Sequence, residues 1–155
     1  MAQEFTLGID YHQIAVFNPD LRDPFNDWTD VHVRQGFSWR HGSVSFGTLS
    51  QSGQFRVVVS VRKEVDLPDG TVRAISVPFL VDSNGVEVGG VFGGVRLGIA
   101  SGHYKLVFVA QKVTHQEAEV YHFQFIQAEN PAAQILVADA ELDPPDELCM
   151  TAEPA

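Results

Sequence analysis

The chain has 155 residues, the size of one domain with a single sizeable core. Its 20 acids against 10 Lys and Arg give a formal charge of −10, which argues against direct nucleic-acid binding because phosphate contacts need a cationic face. A lone cysteine, Cys149, excludes an internal disulfide or a multi-cysteine zinc site and suits a reducing, cytoplasmic setting.

The N-terminus has no basic segment followed by an apolar run, so no signal peptide is expected. No stretch approaches the roughly 20 apolar residues of a spanning helix. Phe5, Leu7, Ile9 and Tyr11 alternate with Thr6, Gly8 and Asp10, the pattern of a strand with one buried face. Ile14, Val16 and Phe17 continue it, but the apolar parity changes at His12-Gln13, which predicts a bulge that re-aims His12. Asn18 to Pro24 reads as a polar loop. Asp27 is placed to cap a helix from about Trp28 to Gln35, with Asp30 in its first turn and Gly36 as the stop.

The remainder reads as strands: Ser43–Leu49, Phe55–Val65, Val72–Val81, Val86–Val88, Val91–Ile99, His103–Val113, Val120–Gln127 and Gln134–Leu142. Asp66-Leu67-Pro68-Asp69-Gly70 and Asp82-Ser83-Asn84-Gly85 are the strongest turn signals. Pro78 inside its strand points to an edge or a bulge. The sum is about nine strands and one short α-helix. The expected fold is all-β, an antiparallel two-sheet β-sandwich over residues 1–142. Residues 143–155 are acidic and Pro-rich and read as a weakly ordered C-terminal tail.

Charge is uneven along the chain. Residues 1–33 hold six acids and one base, residues 34–105 five and eight, residues 106–155 nine and one. The two ends form an acidic face if they meet in space.

Gly89-Gly90-Val91-Phe92-Gly93-Gly94 lacks the Gly-Lys-Ser/Thr ending of a phosphate loop and reads as turn glycines. His12, His32 and His41 lack zinc-hydrolase spacing, so neither a metal nor a cofactor is expected. No nucleophile elbow occurs, and Cys149 lies in the expected tail, so no catalytic residue is assigned. The densest chemistry is Tyr11-His12-Gln13 followed by Asp27-Trp28-Thr29-Asp30. Asp20, Asp23, Asp27 and Asp30 recur at three- or four-residue steps, spaced to line a ridge that suits a basic groove on another protein.

Ile9-Asp10-Tyr11-His12-Gln13, Val16-Phe17, Asp27-Trp28-Thr29-Asp30, Gly36-Phe37 and Gly42-Ser43-Val44-Ser45-Phe46 resemble the N-terminal half of the competence protein J (ComJ) family. Val77-Pro78-Phe79, Asn84-Gly85-Val86 and Gly102-His103-Tyr104-Lys105-Leu106 follow in the same order. The resemblance implies a small acidic cytoplasmic protein that binds and inhibits a DNA-entry nuclease. It makes Tyr11, His12, Gln13, Asp27, Trp28 and Asp30 the candidate partner-binding residues, with Asp27 and Asp30 as the charged contacts. A small-molecule or glycan-binding β-sandwich with a Trp28/Trp39/His41 pocket is the rival expectation.

Overall fold

The computed structural model describes residues 2–113 and 118–155. They form β1 (Ala2–Ile9), β2 (Gln13–Phe17), α1 (Asp30–Gln35), β3 (Phe37–Arg40), β4 (Ser43–Gly47), β5 (Gly53–Arg62), β6 (Thr71–Val81), β7 (Val86–Gly90), β8 (Gly93–Leu97), β9 (Gly102–Val113), β10 (Ala118–Gln127) and β11 (Gln134–Val137). One sheet has six strands in the order β1-β5-β10-β9-β6-β11, the other five in the order β3-β4-β2-β7-β8. No helix among the described residues is long and apolar enough to cross a membrane.

The two sheets bury one apolar core between them, in a sandwich-like arrangement that does not close into a barrel. Phe46 of β4 stacks on Phe108 of β9, with ring centroids 4.6 Å apart and planes 9° apart, and Tyr121 and Phe123 of β10 flank Phe108. Each such pair adds about 0.5–1.5 kcal/mol beyond the area it buries. In β9 the run Leu106–Ala110 is buried on both faces. One face meets the shared core. The other packs with Ala74, Ile126, Val65, Leu136 and Val137, which is why β9 reads as a continuous apolar run.

Four expectations are corrected. Among the described residues the strands number eleven, because the first expected strand is two and β3 went unseen. The parity change at His12-Gln13 is not a bulge: β1 pairs with β5 in one sheet and β2 with β4 and β7 in the other, so the chain changes sheets there. A crossing between sheets flips the apolar face just as an inserted residue does. The sheets are not wholly antiparallel, since β10 pairs parallel to β5.

The helix begins at Asp30 with Thr29 as its N-cap, not at Trp28 behind Asp27. His32 Nδ1 accepts the Thr29 N–H at 3.0 Å, the reciprocal half of a capping box. Gly36 at φ 86° closes the helix as expected. Pro78 lies past the last β11 partner of β6, where β6 has a strand neighbour on one side only.

Residues 143–155 are docked along α1. Asp143 N–H donates to Arg34 O, and Gln35 exchanges bonds of 2.8 and 2.9 Å with the Cys149 backbone. Ala155 N–H reaches Phe25 O at 2.9 Å. Leu148 and Met150 pack on the core. The buried Gln35 amide and His32 imidazole need partners, and an extended Pro-rich segment offers backbone groups unused by any sheet.

Candidate functional site

The crossing from β1 to β2 is made by Tyr11 and His12, both left-handed at φ 58° and 61°. Asp10 and Gln13 bridge across them. Two such residues in succession resemble a type I′ turn, which prefers Asn-Gly. A bulky L-residue there costs about 1–2 kcal/mol. Neighbouring bonds hold the turn: His12 N–H donates to Gln51 O and Thr48 N–H to His12 O, each at 3.0 Å. The imidazole lies 2.8 Å from Thr48 O through Nδ1. A carbonyl only accepts, so Nδ1 carries the hydrogen, and in the neutral imidazole Nε2 is the acceptor.

The loop that receives His12 is itself tied down. Tyr121 O–H donates to Glu119 at 2.6 Å and accepts the Leu49 N–H at 3.0 Å. Burial, reinforced by the Glu119 carboxylate, pushes the Tyr121 phenol up.

Tyr11 and His12 border a groove of about 410 Å³ with Trp28, Arg73, Glu141 and Leu142. Trp28 is half-buried and donates Nε1–H to Gln13 Oε1 at 3.1 Å. Gln13 thus fixes the indole, and the indole lies edge-on to His32. Arg73 comes from β6 and is 3% exposed at its side chain. Its Nε and Nη2 donate to the two Asp139 oxygens at 2.8 and 2.9 Å, and Nη1 to Gly47 O at 2.7 Å. Glu141 stands 3.5 Å from Nη2 and remains 63% exposed. Burial raises the Asp139 carboxyl, but the Arg73 hydrogen bonds and charge outweigh it and hold the group below its usual range.

Beside the groove lies an exposed apolar patch. Tyr11 is 67%, Val33 59% and Phe92 79% exposed, and the Tyr11 and Phe92 rings are 6.3 Å apart. Gly90 brings them together: a Cβ there would sit 2.4 Å from Gly8 O. Only a glycine lets β7 approach β1 closely enough to set the β7–β8 turn beside Tyr11.

The structure thus gathers Tyr11, His12 and Trp28 at one groove, with Gln13 behind Trp28. Asp27 lies at an adjoining hollow with His32, Cys149 and Glu153. It does not cap the helix: its carboxylate accepts the Glu153 N–H at 3.0 Å while its own N–H donates to Glu153 O. Asp30 is exposed at the helix start. Asp20 accepts from Asn84, so the acids do not form one free ridge. The rival pocket is split, because Trp39 and His41 border a separate hollow and Trp39 Nε1 donates to Pro78 O at 2.8 Å. Arg73, Glu141, Leu142 and Phe92 were missed. The Val33/Phe92 exposure has no sequence signal, but a basic residue in an apolar strand such as β6 does call for a buried acid.

The competence protein J (ComJ) family profile matches residues 6–126. Among solved structures, ComJ of Bacillus subtilis, an inhibitor of the DNA-degrading activity of NucA, superposes with a TM-score of 0.73 at 22% identity, covering 81% of this chain and 96% of that one. The crocagin biosynthetic gene J structure gives 0.52 at 13% identity, covering 80% and 96%. No curated protein sequence matches the chain.

Proposed function

As the chain belongs to the competence protein J (ComJ) family, we propose that it binds a DNA-degrading nuclease and inhibits it, acting by occupation and not by turnover. The family match carries this reading, and the likeness to the NucA inhibitor of Bacillus subtilis supports it. The nuclease is a DNA-entry type made in the same cytoplasm. Its basic DNA groove meets the face that holds the Tyr11-His12 turn, Trp28 and Phe92. The apolar patch supplies the desolvated anchors, and Asp27, Asp30 and Glu141 supply the opposing charge. Gln13 acts through Trp28, whose indole it holds.

A titration of plasmid cleavage tests this. The organism's own DNA-entry-type nuclease is held at fixed concentration while the folded protein is added. Cleavage should stop near one equivalent; cleavage that persists at large excess rejects the reading.

One observation favours a second reading, a small-molecule or glycan site. A groove of about 410 Å³ with an aromatic wall is of ligand size. Saturable quenching of Trp28 fluorescence by a small ligand, with no effect on nuclease, would favour it.

A further inference from the structure

From the donors and acceptors of the groove, we infer that it captures a basic side chain of the partner, and that the wall formed by Glu141 and Leu142, with Asp139 neutralising Arg73, sets this preference. The inference deepens the nuclease-inhibitor reading and rests on it for the partner's identity.

Arg73 contributes no free charge, because Asp139 takes it in a two-pronged pair and Gly47 O takes a third hydrogen. Glu141 is then the surplus carboxylate on the wall, largely in solvent. His12 also lines the groove, and in the neutral imidazole whose Nδ1–H is committed to Thr48 O, Nε2 is the acceptor. A groove lined by two acceptors, a surplus carboxylate and an indole suits a donor-rich cation on an aliphatic stem, an arginine above all. Leu142 and Trp28 would flank that stem. The chain's charge of −10 draws a cationic partner toward it. Asp139, Glu141 and Leu142 all lie beyond residue 126, where the family match ends. The preference is therefore written in a part of the chain that the family pattern does not cover.

Two measurements on the full-length protein test this. In the first, Nα-acetyl-arginine amide is titrated against the labelled protein by NMR. The Trp28 indole N–H and the Leu142 amide should shift, and Glu141→Gln should abolish the response. Nα-acetyl-leucine amide should leave both resonances in place. In the second, Glu141→Gln and Leu142→Ala should each weaken nuclease inhibition about tenfold, with Glu129→Gln, exposed and away from the groove, as the unchanged control. An arginine response that is absent, or that survives Glu141→Gln, overturns the inference. So does undiminished inhibition by both variants when the wild type stops cleavage at one equivalent. If the wild type leaves cleavage untouched yet binds the arginine probe through Glu141, the nuclease reading falls and the chemistry of the groove stands.

Discussion

Tyr11 occupies a backbone conformation that favours glycine or asparagine, and its ring is mostly in solvent. On the proposed reading, this strain is held at an exposed aromatic for contact and not for stability. Tyr11→Asn should raise the unfolding free energy by about 0.5 kcal/mol, since asparagine tolerates the left-handed region. The same change should weaken nuclease inhibition about tenfold. Urea unfolding and cleavage titration together check it; a less stable variant that inhibits normally would remove the turn from the interface. His122 makes a second residue-level case. Burial, with Arg56 nearby, depresses its pKa, and Nε2 lies 2.8 Å from Gln111 Oε1. The neutral form is favoured in the fold, so its contribution is present above the unfolded value of about 6.5 and is lost as pH falls toward the lower folded value. His122→Gln should flatten the fall of stability on acidification below about pH 6.5, measured by thermal melts at a series of pH values. Tyr11, His12 and Trp28 were legible because their side-chain chemistry is conspicuous wherever it falls. Glu141, Leu142 and Phe92 were not, because only the fold carries them to the same place.

The Arg73–Asp139 pair is the tie between β6 and the segment that follows β11. β11 itself is bonded to β6 only at Ala74, Ile75 and Ser76, with an irregularity before Val137. Asp139→Asn would leave a buried guanidinium with Gly47 O and the looser Glu141. Breaking a buried pair costs about 3–5 kcal/mol, and the partial exposure of Asp139 reduces this to about 2 kcal/mol. Chemical denaturation measures the loss, and hydrogen exchange should place it first in residues 134–155. Because the Asp139 pKa is lowered by folding, its contribution is full above about pH 4 and disappears on further acidification. At this scale the sequence was a good guide to which segments are extended and a poor one to how they join. Strand periodicity survives any pairing, whereas a change of sheet and a bulge leave the same trace, as at His12-Gln13. The helix start was misplaced because Asp27 is by composition a better cap than Thr29, which is the one used. His32, three residues after Thr29, was the sign that decides between them.

For the whole molecule, on the proposed reading, the acid excess acts on the approach to the nuclease more than on the final fit. Asp30→Lys should slow association about threefold to tenfold and reduce its salt dependence, leaving dissociation little changed. Stopped-flow rates at two ionic strengths check this, and equal rates for variant and wild type would take Asp30 out of the interface. Asp27 is a poorer probe, since its carboxylate holds Glu153 and substitution would loosen the C-terminal segment. The two-sheet architecture was legible from alternation alone. The parallel β5–β10 pair was not, since no local signal marks which distant strand a β-strand will meet. The docking of residues 143–155 was hidden by their own composition, which is that of a disordered tail. The Arg73–Asp139 pair has a consequence for synthesis. Arg73 leaves the ribosome 66 residues ahead of Asp139, a gap of roughly 3–13 seconds at ordinary elongation speed. Until residues 139–142 have emerged, the groove lacks Glu141 and Leu142 and its Arg73 has no Asp139 to pair with. Ribosome-arrested chains ending before Asp139 are therefore expected to be inactive, and arrest points placed beyond Leu142 should restore inhibition.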